Sequence, residues 1–412
     1  MTRKILSLML IAMIAWPAFA QKKKKFELDF YGFVRVDGFY NSRKNVESIE
    51  GIFSLYPMGP SYDADGKDLN AVPDAGIFAI STRLGLDVKG PDFLKAKTSA
   101  KVEADFAGYT AKTPKGFGNV RLRQAFVRFD WTKSALIVGQ TWHPMWSVSP
   151  EMINLSTGAP FQPFNRSPQV QYNYKLDNVR FIGAALYQMQ FASSGPDGKL
   201  KEYQKNNVLP ELYGGVEYKY KEWTVGGGAE FKRIRPRTEA TVGDKTYKVS
   251  EYNSSASFNV YGRFKKGDWN VAAKTVYGQN LSDMCMLGGY GVTSISPDNG
   301  EAKYVNFNNS TSWLNIVWGK KYQVGTFLGY SKNLGTNKPL LNTKDVYGSG
   351  TNIDQLCSGS LYFAANISNF RMGVEYSYTN AAYGKNDLET GKVKDITNVG
   401  NNRVAATVIY NF

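Results

Sequence analysis

Apolar and polar residues alternate along almost the whole chain. In FELDFYGFVRVDGFY (26–40), Phe26, Leu28, Phe30, Val34 and Val36 fall on one face, and Glu27, Asp29, Tyr31, Arg35 and Asp37 on the other. In AGIFAISTRLGLDV, Phe78, Ile80, Leu84, Leu86 and Val88 oppose Ser81, Arg83 and Asp87. In KAKTSAKVEADFAG, Ala100, Val102, Ala104 and Phe106 oppose Lys97, Lys101, Glu103 and Asp105. Period-two alternation marks β-strands with one wet and one dry face. It predicts sixteen strands, at 26–40, 75–89, 95–109, 118–131, 134–142, 168–176, 178–191, 210–220, 222–234, 250–264, 268–280, 307–318, 321–332, 357–368, 369–380 and 401–412.

The connections follow a rule of their own. Short turns, such as 132–133, 267–268, 319–320 and 368–369, alternate with long loops at 41–74, 110–117, 143–167, 192–209, 235–249, 281–306, 333–356 and 381–400. A soluble sandwich has no reason for such strict alternation. A transmembrane barrel has one: short periplasmic turns at one rim and long extracellular loops at the other. A membrane-spanning strand must also pair every backbone N–H and C=O, so the sheet must close. The predicted fold is therefore an all-β, transmembrane antiparallel barrel of sixteen strands over 26–412.

Aromatic residues cluster where such a barrel needs them. At the short-turn ends, the apolar face carries Trp131, Tyr220, Trp223, Phe264, Trp269, Trp318, Tyr322, Phe370, Tyr410 and Phe412. This is the pattern of an aromatic belt at a membrane interface. The chain holds 8 Trp, 26 Tyr, 24 Phe and 40 Gly, yet no later run is apolar enough for a spanning helix. Sixteen strands enclose a lumen too wide for side chains to fill, and no segment reads as a separate plug domain.

The first twenty residues have a different character. Arg3 and Lys4 precede the apolar run ILSLMLIAMIA, and Ala18-Phe19-Ala20 fits the small-x-small cleavage pattern, so 1–20 is expected to be a cleaved signal peptide. A short basic segment, 21–25, then precedes the barrel. The net charge is +15, falling to +13 without Arg3 and Lys4. A basic exported chain is matched to anionic lipid or small anions; no nucleic-acid motif is present.

Catalytic chemistry finds little support. His143 is the only histidine, there is no paired-cysteine motif, and GGGAE (226–230) lies within a strand rather than before a helix. No catalytic set, metal or cofactor is expected, and His143 reads as a loop residue touching solute. Cys285 and Cys357 permit one disulfide between neighbouring loops, and two free thiols fit equally well.

The third long loop, HPMWSVSPEMINLSTGAPFQPFNRS, is stiffened by prolines and too apolar to sit in water. It is expected to fold into the lumen and narrow the pore, with Trp142, His143, Trp146, Glu151, Phe161, Phe164 and Arg166 as constriction residues. The expected pore lining is Arg35, Asp37, Arg83, Lys101, Glu103, Asp105, Arg121 and Arg123. Arg121 and Arg123 share the parity of Ala125, Val127 and Phe129, which would turn them to lipid at a cost of about 2–4 kcal/mol each at mid-depth. A bulge near Gln124 would return them to the lumen. A basic wall opposed by Glu151 would favour anions. If every arginine is instead paired, the cluster merely stiffens the wall.

YGFVRVDGFYNS, STRLGLDVKG, KVEADFAG, RLRQAFVRFDW and LIVGQTWHPMW resemble the DcaP-like outer-membrane porins, in their Bacteroidetes version, and the terminal VIYNF is similar to the last-strand signature of bacterial outer-membrane proteins. The likeness is densest over 26–146 and 401–412. It implies a Gram-negative homotrimer with an inward third loop, taking up small, often anionic solutes, and assembled by machinery that reads Tyr410 and Phe412. The resulting expectation is a porin for small hydrophilic solutes favouring anions. Its rivals are a substrate-specific channel for a carboxylate or oligosaccharide, with Trp142, Trp146, Phe161 and Phe164 as a stacking site, and a non-conducting surface adhesin or scaffold.

Overall fold

The computed structural model describes residues 26–49, 51–108 and 118–412. The signal-peptide segment, the basic 21–25 segment and the second long loop at 110–117 lie outside these residues. Sixteen antiparallel barrel strands run in chain order. They are β1 (Glu27–Asn41), β2 in two pieces (Asp74–Phe78 and Arg83–Lys89), β3 (Lys97–Asp105), β4 (Arg121–Asp130), β5 (Ser134–Trp142), β6 (Arg166–Leu176), β7 (Val179–Leu186) and β8 (Glu211–Tyr220). They continue with β9 (Trp223–Ile234), β10 (Asn253–Lys266), β11 (Trp269–Gln279), β12 (Ala302–Trp318), β13 (Tyr322–Thr336), β14 (Ile353–Ile367), β15 (Phe370–Asn386) and β16 (Val393–Asn411).

Each strand pairs with its sequence neighbours, and β1 closes the sheet on β16 with Val34 opposite Tyr410 and Asn41 opposite Arg403. The alternation resolves into two faces. Leu84, Val102, Val127, Val170, Val260 and Leu361 point outward and are exposed. Asp37, Glu103, Asn259, Lys274, Asn315 and Glu375 point inward and are buried. The belt aromatics share one end: Tyr220 pairs across strands with Trp223 and Trp269 with Trp318, while the Phe370 and Tyr410 rings lie 4.9 Å apart. The tight turns at this end place Asp177, Lys221, Gly267 and Ser368 at positive φ.

The wall is uneven in height. β3, β4 and β5 have 9, 10 and 9 residues, enough to cross a bilayer when tilted. β15 and β16 have 17 and 19 and rise well above it. The sequence placed the starts of β12, β14 and β16 later than they fall, because stretches such as TNVGNN in β16 are polar on both faces and show no alternation.

Candidate pore constriction

Among the described residues, several long-loop segments fold into the barrel. The third long loop, between β5 and β6, crosses to the far wall and is bound there through its backbone. Arg263 donates to the Ser149 carbonyl at 2.6 Å, and Lys274 donates to the carbonyls of Met145 and Trp146 at 2.7 and 2.9 Å. Asn315 accepts the Glu151 amide at 2.9 Å and donates to its carbonyl at 3.1 Å. One oxygen of Glu375 accepts the amides of Ile153 and Asn154, at 2.8 and 3.1 Å. From the other side, Arg35 donates to the Ile153 carbonyl at 2.8 Å.

Two further inward segments escaped the sequence reading. The first long loop forms a hairpin, Asn45–Ile49 with Phe53–Pro57, and buries Ile49, Ile52, Phe53 and Tyr56. Phe53 meets Phe164 edge-on at 4.8 Å. The sixth long loop contributes the turn Leu281–Met284, and Leu281, Met284, Met286 and Leu287 are buried. Tyr56, Val148, Phe161 and Leu287 pack on Tyr261, Trp313 and Phe327 of the far wall as one apolar cluster. The apolar run GIFSLYP (51–57) was the available signal, of the same kind that marked the third loop.

Beside these loops, against β1–β5, lies a chamber of about 210 Å³. It is lined by Arg35, Arg83, Arg121 and Arg123, by Asp105, and by Trp142, Trp146 and Phe164 among others. Most residues of the expected basic wall are thus gathered at one place. A bulge supplies the facing of Arg121 and Arg123: Glu103 pairs with Gln124 and Ala104 with Leu122, leaving Arg123 as the extra residue. Leu122 then turns outward while Arg121 and Arg123 turn in.

Every one of these cations is ion-paired. Arg35 binds Asp37 at 2.7 Å, Arg121 binds Asp105 at 2.6 Å, and Arg123 bridges Glu103 and Asp105 at 2.8 and 2.9 Å. Arg83 has the loosest contact, 3.6 Å from Glu103. Lys101 stands apart from the chamber lining, bound to Asp87 at 2.9 Å and to the Tyr31 hydroxyl. Four guanidiniums and one carboxylate line the chamber, and with the paired Asp37 and Glu103 counted as well the local balance stays positive.

Other expected constriction residues are placed differently. Glu151 does not oppose the basic wall: its carboxylate meets Arg371 at 3.3 Å on the far side. Phe161 is buried against Phe327. Trp142 stacks on Trp146 with ring centroids 4.1 Å apart, and the buried Arg166 guanidinium sits 4.7 Å from the Trp142 ring centre. These contacts take up much of the Trp142 ring, while Trp146 and Phe164 still border the chamber. Cys285 is buried, Cys357 lies within β14 opposite Tyr330, and both are free thiols, so the loop clip is not formed.

His143 is also corrected. It is 1% exposed and touches no lumen, because it begins the inward loop and is covered by β8, β9 and the sixth loop. Its Nε2 lies 2.7 Å from Glu211 Oε1, and its Nδ1 accepts the Met145 amide at 3.1 Å. Donor atoms of His143, Glu211 and Glu230 come within 4.8 Å of one another, spacing that suits a metal ion. Two features oppose that use. An Nδ1 that accepts an N–H leaves the proton of a neutral ring on Nε2, the atom a metal would need. The Lys232 ammonium, 3.5 Å from Glu230, already supplies positive charge.

A family model described as "DcaP outer membrane protein" matches residues 17–263. The chain is similar in structure to the outer membrane channel DcaP of Acinetobacter baumannii, at 20% identity over 96% of this chain and 100% of that one, with a TM-score of 0.66. It is similar to the trimer form of OmpT of Vibrio cholerae, at 14% identity over 94% and 99%, with a TM-score of 0.55. It is also similar to an anion-selective porin from Comamonas acidovorans, at 10% identity over 94% and 100%, with a TM-score of 0.54. No curated protein matches it.

Proposed function

Because the chain belongs to the DcaP outer membrane protein family, a family of channels rather than enzymes, we propose that it is a passive, water-filled route for small hydrophilic solutes with a modest preference for anions. It is exported with removal of residues 1–20, folded by machinery that reads Tyr410 and Phe412, and sits in outer-membrane lipid as a homotrimer without a cofactor. The trimer form of OmpT and the anion-selective Comamonas porin share the fold and support these readings.

One observation carries the anion preference. Four guanidiniums line a chamber of about 210 Å³ in which the loops leave only one carboxylate at the surface. Their pairing with Asp37, Glu103 and Asp105 tempers the field, so the preference is modest. In a barrel, fixed positive charge acts on permeating ions by long-range attraction and charge-assisted hydrogen bonds.

Arg83 is the test residue, since it has the longest ion pair of the four chamber arginines. In planar bilayers under a salt gradient, the wild type is expected to show a reversal potential of anionic sign. Arg83→Gln is expected to move it towards zero. An unchanged potential would refute the selectivity assignment, and a folded protein with no conductance would favour the scaffold reading.

A further inference from the structure

His143 is the chain's only histidine, and it sits at the hinge where β5 becomes the inward loop. The next three residues, Pro144–Trp146, form a single 3₁₀ turn capped by the imidazole, whose Nδ1 accepts the Met145 amide. Lys274 grips the same turn through the carbonyls of Met145 and Trp146. Trp146 then stacks on Trp142 at the edge of the chamber.

The groups facing the imidazole are Glu211 and Tyr213 from β8, Glu230 and Lys232 from β9, Lys274 from β11 and Asp283 from the sixth loop. Lys232 binds Asp283 at 2.6 Å. Neither oxygen of the buried Glu230 has a hydrogen-bond partner. Three carboxyl groups and two lysines thus surround the imidazole inside a closed wall, and His143 is the group among them that both touches a carboxyl and holds the turn.

We propose that His143 is a positioning residue for the constriction, and that its protonation loosens the turn holding Trp146 beside the chamber. The proton adds to the lone pair of Nδ1, the atom that accepts the Met145 amide. Nδ1–H and the Met145 N–H are then both donors, and the cap is lost. Lys274 keeps its grip on the two carbonyls, so the turn pivots about that point and Trp146 moves relative to Trp142. Burial lowers the pKa of the imidazole, so the change falls below the ordinary histidine range.

The proposal rests on the channel reading only for its second readout. For the first, protein made without a histidine tag and with ring-¹⁵N histidine gives the signals of one imidazole. The expected result is the Nε2–H tautomer at neutral pH, converting to imidazolium with a midpoint below ~6.5. Closing events in planar bilayers are expected to become several-fold more frequent with the same midpoint. In His143→Asn, whose amide oxygen can still accept the Met145 N–H, closing is expected not to change with pH. Glu211→Gln removes the carboxylate that favours imidazolium, and its midpoint is expected to fall further. An Nδ1–H tautomer at neutral pH, a ring that stays neutral while closures rise, or a His143→Asn channel with wild-type pH dependence overturns the proposal. If His143→Asn does not fold, Glu211→Gln decides by its midpoint. Absence of any current overturns the channel reading, and the ring titration still decides the tautomer.

Discussion

The amide of Gly32 donates to the Phe412 carbonyl at 3.0 Å, and the Phe412 amide donates back to the Gly32 carbonyl at 3.1 Å. The last residue of the chain is therefore fastened to the first strand through both its main-chain groups. Only glycine fits opposite it. A Cβ on Gly32 would lie 2.6 Å from the Arg83 carbonyl oxygen and 2.9 Å from the Phe412 ring. Gly32→Val is expected to force this end of the seam apart and lower the folded fraction, read as loss of the heat-modifiable band on electrophoresis. Deleting Phe412 is expected to lower the yield of folded protein, while the channels that do form keep wild-type conductance.

Arg123 is the bulged residue that bridges Glu103 and Asp105, and all three are buried. Removing one partner of a buried ion pair costs about 3–5 kcal/mol where the other is left uncompensated; here Asp105 keeps Arg121, and Glu103 keeps its looser contact with Arg83. Arg123→Ala is expected to destabilise the barrel by less than that, yet measurably, in denaturant titration. Arg128→Ala, on the same strand but with a half-exposed partner in Asp130, is expected to cost far less.

Glu375 holds the tip of the third loop through two amides. Glu375→Ala removes both bonds and is expected to leave the barrel folded but its current noisy, because the loop tip is freed on one side. Single-channel recording checks this, with Arg371→Ala, which takes from the loop only a hold on the Glu151 side chain, giving a smaller effect.

The Cys285 thiol is pushed up to about 11 by burial, so it stays protonated at neutral and mildly alkaline pH. Native protein at pH ~8 is expected to react slowly at Cys285 with a soluble maleimide, and quickly once unfolded, since a free thiol sits near ~8.5. Mild oxidation is expected to give no internal disulfide. Mass spectrometry of labelled peptides reads both outcomes.

Alternation made the wall legible because one side of every strand meets lipid and the other water, a contrast written residue by residue. The misfit of Arg121 and Arg123 to that pattern marked a bulge for the same reason. The interior was harder to read. His143 has a polar sequence neighbourhood only in three dimensions, where Glu211, Lys232 and Asp283 arrive from distant segments. Charge alone sets Glu151 against the basic wall, and its pairing with Arg371 instead follows from how far the loop reaches. The inward hairpin at 45–57 was announced by Ile52, Phe53, Leu55 and Tyr56, but a loop's apolar run does not say which surface will cover it.

The third loop is anchored to the tall side of the barrel and leaves the charged chamber against the low side. The filter is thus written almost entirely in the residues up to Arg166, and the frame that steadies it in those beyond. A lineage carrying such a gene can retune what it admits by changing its first two fifths, while the remainder goes on folding the same barrel around it.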